Sequence, residues 1–440
     1  MGDMEKKYKA SICTLGCRVN LYESEAISDK LSKHGFEMCD FSEVCDVYII
    51  NTCTVTAESD RKSRQMIRRA LKTNPFAKIL VCGCYSQMFS EDVRKISGVD
   101  YIGGTTDKML ILSKAVDLAE KGKRDICEVN IGDPFEADFE PMEATCQDRT
   151  RAFLKIQDGC NNKCSYCIIP KARGKVRSKP IRDVIEEVKK LVENGYKEVV
   201  LTGIETAAYG SGEGYGLIDL LEMLEDIDGL KRVRLGSIEP AYLKDGIIDR
   251  LAKLKKTMPH YHLSLQSGND KTLNAMRRRY NTKMIARAVS YMREKIPDVT
   301  FGSDFIVGFP NETEEDFAAT FSFVDSLEIL NSHIFSYSVR PGTEAAEMKG
   351  QLPNDVKTNR HKRLQKLAND MQKRCVKGFI REKTQLEVLF ENGCNGIFTG
   401  HTSNFINVKV KSDQDLGGSI GRVVLKKYNE KDGMTEGELI

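Results

Sequence analysis

Short apolar runs alternate with amphipathic stretches along the first part of the chain. Residues 9–17 read as a short buried strand, and about 22–34 as an amphipathic helix that stops at Gly35. The unit recurs twice: a strand inside Val44–Cys53 precedes a basic helix, and another lies inside Ala77–Cys84. Alternating strand and helix predicts a parallel sheet with helices on its faces, spanning 1–125. Ligands of such sheets gather beyond the carboxyl ends of the strands. Cys17, Cys53 and Cys84 each stand at such an end, so three cysteines far apart in sequence should converge. Three thiolates there could hold an iron-sulfur cube with one open iron, or could be separate buried cysteines. Cys13 and Cys82 compete, Cys82 because it precedes Cys84 by two residues and so points to the same sheet face. Cys84 is preferred because Gly83 and the strand end let the backbone turn and expose it.

The pattern loosens from about 120 to 148, and 126–145 reads as a linker or a lid. A second alternation follows over 146–375, with strand-like stretches near 153–157, 198–203, 233–237, 261–266, 300–307 and 332–338. These βα units predict a partial barrel with an open side and an active face at the strand carboxyl ends. The strand-end positions are polar and glycine-rich. Gly203, Glu205, Gln266, Asp304 and Glu312 stand there as candidate ligand contacts, Glu312 with the alternative of capping the helix that starts near Thr313. Arg340 could meet a carboxylate or phosphate. A basic amphipathic helix covers about 355–375. From 376 to 440, four or five short alternating strands with glycine turns predict a small OB-like barrel.

Charge changes the picture through its placement. The totals, 67 basic against 64 acidic residues, nearly cancel, but residues 61–72 hold six cations and no anion. Six more fall in 171–182, and 354–383 holds ten Lys and Arg against three acids. Such concentration suits a polyanion, whereas 376–440, with nine of each sign, is not a strongly cationic anchor. Phe398, His401 and Phe405 could stack on bases, though a half-buried barrel face is their plainer role. No apolar run approaches a bilayer span and Met1–Lys7 holds no hydrophobic secretory segment, so a cytoplasmic protein without a membrane partner is expected. Fourteen cysteines in such a chain argue for metal or redox chemistry and against a disulfide framework.

The chemistry concentrates in Cys160, Cys164 and Cys167. Their C-x3-C-x2-C spacing on a short loop fits three corners of a 4Fe-4S cube and leaves one iron open to a small molecule. Structural zinc is the rival reading, but it prefers four closed ligands, and no fourth cysteine or histidine stands nearby. The octet Cys160 to Cys167, with Tyr166 before its last cysteine, resembles the signature of radical S-adenosylmethionine (SAM) enzymes. That resemblance implies that the open iron chelates SAM and that an electron from the cluster generates a 5′-deoxyadenosyl radical. It also implies that Tyr166 lies beside the SAM adenine, and that the polar strand ends line the SAM pocket.

A second resemblance spans nearly the whole chain. Thr14-Leu15-Gly16-Cys17, Asn51-Thr52-Cys53 and Cys82-Gly83-Cys84 look like the three cysteine motifs of methylthiotransferases, whose N-terminal domain carries an auxiliary 4Fe-4S cluster. The basic run Asn51 through Ala70 is closest to the MtaB-type branch, which acts on N6-threonylcarbamoyladenosine at position 37 of tRNA. Two positions depart from the pattern: Glu23 where many relatives have Asp, and Lys171 where an aromatic is common. The resemblance implies a Rossmann-like N-terminal domain, a partial (β/α)6 radical SAM barrel and a C-terminal TRAM barrel. It also implies two clusters, on Cys17, Cys53 and Cys84 and on Cys160, Cys164 and Cys167. The partners expected are tRNA at its anticodon loop, an external electron donor and a sulfur source. The unactivated C–H at adenine carbon 2 gives acid-base catalysis no handle, and a radical route avoids that. Three alternatives stay open: the same chemistry on isopentenyladenosine, on a ribosomal-protein aspartate, or a non-catalytic RNA-binding iron-sulfur protein.

Overall fold

The computed structural model describes residues 8–122 and 126–440; the opening Met1–Lys7, on which the reading of a leaderless start rests, lies outside them. The N-terminal sheet has six strands in the order Phe36–Met38, Tyr8–Thr14, Val47–Thr52, Lys78–Gly83, Tyr101–Gly103, Glu128–Asn130. Every neighbouring pair is parallel. The order reverses at Tyr8–Thr14, and Cys17 and Cys53 leave the sheet on either side of that switch, where doubly wound sheets bind ligands. Val47 to Thr52 is buried throughout, as a central parallel strand covered on both faces requires. The first strand ends at Thr14 and the helix Arg18–Lys33 begins directly after Cys17, earlier than its apolar spacing predicts. Glu128–Asn130, inside the stretch read as linker, adds the sixth strand by pairing with Tyr101–Gly103.

The second unit has six parallel strands, grouped as two three-stranded sheets. Ala152–Lys155, Glu198–Thr202 and Arg232–Leu235 form one; His260–Gln266, Thr300–Val307 and Asn331–Ser336 form the other. Isolated bridges Val233 to Thr257 and Ile238 to Leu263 join them into an open half-barrel. Its core runs from Leu154, Val199 and Leu201 to Phe305 and Val307, sealed by Leu364, Leu367 and Met371 of the helix Asn354–Glu382. That helix runs past the change of pattern at 376 and ends with Lys383 in the left-handed region.

Five strands then close a barrel: Gln385–Cys394, Ile397–Thr402, Asn407–Lys411, Met434–Leu439 and Ile420–Asn429. Phe405 is not on a strand; it sits at φ +71° in the turn before Asn407–Lys411. There it stacks between His260 and His401, each ring 4.7 Å away, and so docks the barrel on the half-barrel rather than offering a face to RNA. Phe398 is buried in the barrel core, the plainer of its two readings. No helix of the described residues is long and apolar enough to cross a membrane.

Candidate active site at two sets of strand ends

The first cysteine set is assembled by three turns. Gly16, at φ +94°, lies directly on Cys53: a Cβ there would come within 2.6 Å of the Cys53 sulfur. Gly83, at φ +102°, swings the chain so that Cys84 opens the short helix Cys84–Met88. The strand's alternation therefore does not carry over, and Cys82 does not share the facing expected for it. Cys82 packs instead among Leu80 and Tyr101 in an apolar cluster, and Cys13 packs part-buried on the other face. Burial pushes the Cys53 thiol up to about 12, with Cys84 and Cys17 close enough to add to the shift. All fourteen cysteines are free.

Behind these thiols lies a buried ion network. Arg173 donates to the Cys84 sulfur at 3.3 Å, to Asn20 Oδ1 at 2.6 Å, to Glu23 Oε1 at 2.9 Å and to Asp158 at 3.0 Å. Glu23 also pairs with Lys108 and with Lys155, and Lys155 reaches Asp158 at 2.6 Å. Burial works to raise both carboxyls, but the three cations outweigh it and hold Glu23 well below the usual carboxylate range. Asp158 is held at about 2, by Arg173 before Lys155. The longer side chain of Glu23 thus serves as the buried hub of three cations, which its sequence position alone did not reveal.

The second set lies on the loop after Gln157–Asp158. The Asn162 amide approaches the Cys160 sulfur at 3.4 Å, and Arg278 Nη1 approaches the Cys164 sulfur at 3.1 Å. Burial pushes the Cys160 and Cys167 thiols up to about 12, so each gives up a proton on binding metal. Asn162 Nδ2 spans Glu205 and Glu239, 3.2 Å from each, and Arg278 pairs with Glu239 at 3.2 Å. Burial, then Glu239, raises Glu205 to about 7. Donors already aimed at sulfur and free thiols grouped in threes are what cluster corners require, and both sets fit.

A cavity of about 280 Å³ joins the two regions. Tyr166, Cys167, Gln266, Asp304 and Arg340 line it from the half-barrel, and Val55 and Thr56, just past Cys53, line it from the first domain. Gln266 reaches it at φ +63°, from the end of its strand. Asp304 lines it, but its two oxygens already face His262 at 3.2 Å and His333 at 3.1 Å. Arg340 does meet a carboxylate, Asp60 at 2.7 Å, and also Thr54 at 2.6 Å, so it clamps the two domains together. Gly203 and Glu205 stand behind the cluster loop, where a Gly203 Cβ would come within 2.7 Å of Gln157 Oε1 and the Glu205 amide donates to the same oxygen.

Glu312 is a correction. Its Oε2 accepts from the Gly308 amide and from Arg360, each at 2.7 Å, and it lines no part of the cavity. Nor does it cap the following helix, which Thr313 and Asp316 cap reciprocally. Lys171, which departs from the aromatic common at this position, reaches the carbonyl of Gly342 at 2.6 Å as a backbone tether. Glu239, Arg278 and Arg173 escaped the sequence reading. The signals were basic runs, the stretch 171–182 for Arg173 and the triplet Arg277 to Arg279 for Arg278, and for Glu239 its place just past the strand-like stretch 233–237.

Two family models match: Radical SAM superfamily over residues 154–324, and Uncharacterized protein family UPF0004 over 9–104. The chain is 39% identical over 432 residues to the threonylcarbamoyladenosine tRNA methylthiotransferase MtaB of Bacillus subtilis, covering 95% of this chain and 94% of that one. It is 32% identical over 434 residues to a tRNA-2-methylthio-N(6)-dimethylallyladenosine synthase of Hydrogenobaculum, covering 97% and 99%. Among solved structures, the radical SAM methyltransferase TsrM of Kitasatospora setae, with cobalamin and a 4Fe-4S cluster bound, superposes with TM-score 0.57 at 16% identity. That match covers 78% of this chain and 77% of that one, a likeness of fold.

Proposed function

The chain belongs to the radical SAM methylthiotransferases that act on tRNA, with two 4Fe-4S clusters and SAM as cofactors, and from that premise we propose that it methylthiolates carbon 2 of N6-threonylcarbamoyladenosine at tRNA position 37. The observation that carries the proposal is the shared cavity, with Cys167 on one wall and the turn after Cys53 on the other. Cys160, Cys164 and Cys167 would hold the SAM-binding cluster, and Cys17, Cys53 and Cys84 the auxiliary one. Once bound, these groups supply an electron-driven route to a C–H bond that offers no acidic proton.

The chain's own work is placement. Tyr166 presents a ring to the cavity beside Cys167, where a nucleobase of SAM can stack. Glu205 and Glu239 offer acceptors beside the Cys160 loop for an ammonium or ribose hydroxyls. Gln266 adds an amide at the cavity wall. Arg340 and its Asp60 partner hold the walls at fixed separation, which sets how near a bound base lies to both cysteine sets. The target base must leave the anticodon-loop stack to enter, which costs less in a loop than in a duplex.

The threonylcarbamoyl substrate is favoured over the dimethylallyl one by the higher identity to MtaB-named relatives, 36–39% against 32–35%. Mass spectrometry of tRNA nucleosides from a strain lacking the gene tests it. Loss of 2-methylthio-N6-threonylcarbamoyladenosine, with its unmethylthiolated precursor accumulating, is expected. Intact product in that strain would refute the assignment.

A further inference from the structure

A second chamber, of about 390 Å³, lies beside the amino ends of the strands His260–Gln266 and Asn331–Ser336, where the long helix and the C-terminal barrel close it. Arg18, Arg234, His260, His262, His333 and His401 line it, together with several side-chain amides, and among the described residues no carboxylate does. The neighbouring carboxylates are already engaged: Glu198 with Arg234 at 2.7 Å, Glu391 with Arg151 at 3.1 Å, and Asp304 with both His262 and His333. Arg234 is spent on Glu198 and on the carbonyls of Thr402 and Ser403, and His260 on Thr300. Of the two lining arginines Arg18 is the unpaired one, and of the four lining histidines His333 is the exposed one. Arg18 has no hydrogen bond or ion pair among the described residues; its guanidinium lies 5.8 Å from the Phe153 ring. His333 uses Nδ1 on Asp304, and its Nε2, without a hydrogen-bond partner among the described residues, donates when the ring is protonated; its side chain is 63% exposed.

Position gives these donors meaning. Arg18 follows Cys17 directly at the start of the helix Arg18–Lys33, so its backbone is anchored at the auxiliary cysteine set while its side chain lines the chamber. Asp304 lines the cavity next to Cys167 while holding two histidines that line the chamber, so one layer of side chains separates the two spaces. The proposed pose sets carbon 2 of the base in the cavity and its N6 substituent toward that boundary. The two substrate classes named among the relatives differ in charge there: a threonylcarbamoyl group ends in a carboxylate, and a dimethylallyl group is apolar. A planar guanidinium without a partner is the donor suited to a carboxylate.

Resting on the substrate reading above, we propose that Arg18 and His333 form the carboxylate-binding subsite for the threonylcarbamoyl group and so discriminate against apolar N6 substituents. Neither residue does chemistry; both determine specificity. Binding of anticodon stem-loop RNAs to the full chain with both clusters reconstituted tests this. Four loops are compared, carrying at position 37 adenosine, isopentenyladenosine, threonylcarbamoyladenosine, or the last with its carboxylate methyl-esterified.

The wild-type protein should bind the free acid at least roughly tenfold more tightly than the ester, as loss of a charge-assisted hydrogen bond implies. Arg18→Gln should bring that ratio close to one, Arg18→Lys should restore part of it, and His333→Gln should lower it. If Arg18→Gln weakens all four loops alike, Arg18 reads a backbone phosphate and the subsite is wrong. If the wild type distinguishes acid from ester and Arg18→Gln does so equally, the carboxylate is read elsewhere; the subsite falls and the substrate assignment survives. Preference of the wild type for the isopentenyl loop would overturn both.

Discussion

Arg173 shows how a single side chain ties the two halves of the site together. It follows Cys167 on the short helix Ile169–Arg173, yet its guanidinium donates to the sulfur of Cys84 in the other domain. The cysteines themselves divide the labour. Cys164→Ala should abolish reductive cleavage of SAM, whereas Cys53→Ala should leave cleavage largely intact and stop methylthiolation; measuring 5′-deoxyadenosine and methylthiolated nucleoside side by side checks this. Equal loss of both products in a folded Cys53→Ala protein would contradict the two-site division.

The histidines give a second test at this scale. The hydrogen bond to Asp304 raises the pKa of His333 against the effect of its burial, while burial and then Arg234 hold His260 well below the ordinary value of 6.5. A raised histidine contributes stability that is complete below its unfolded value and is lost as pH rises through the folded one. With six histidines in the chain, nitrogen-detected ring spectra are tractable. They should show His333 titrating above 6.5 and His260 remaining neutral through that range. A His333 midpoint below 6.5 would break the Asp304 pairing.

Among the elements, the strands were legible because a buried parallel strand writes itself as an apolar run, and Val47–Thr52 and Lys78–Gly83 fall inside the predicted ranges. The sixth strand was not, since Glu128–Asn130 alternates too briefly to mark a period and gains its identity only by pairing with Tyr101–Gly103. The long helix was legible, its anchoring was not: Arg360 is buried against Glu312, which fixes the helix to the turn after Thr300–Val307. Arg360→Met should cost about 3–5 kcal/mol in urea unfolding, because it strands a buried carboxylate. Loss of SAM affinity at unchanged stability would instead return Glu312 to the SAM site.

Across the whole molecule, what the sequence could carry was spacing, and what it could not carry was distance closed by folding. The C-x3-C-x2-C loop is local, so it was plain; the union of Cys17, Cys53 and Cys84 followed from placing each at a strand end. The network of Glu23, Lys108, Lys155, Asp158 and Arg173 draws on residues up to 150 positions apart and left no periodic trace. The docking of the C-terminal barrel is similar in kind. Arg234 and Phe405 are ordinary residues until Arg234 reaches the carbonyls of Thr402 and Ser403 and Phe405 slots between His260 and His401.

Two separate cysteine triads, each holding its own cluster across one cavity, are the claim on which the rest stands. Counting iron by anaerobic Mössbauer spectroscopy on the wild-type protein and on a variant with Cys160, Cys164 and Cys167 all changed to Ala tests it most directly. About eight irons per chain in the wild type and about four in the variant, still as one 4Fe-4S signal, are expected. About four in the wild type, or none in the folded variant, would contradict it.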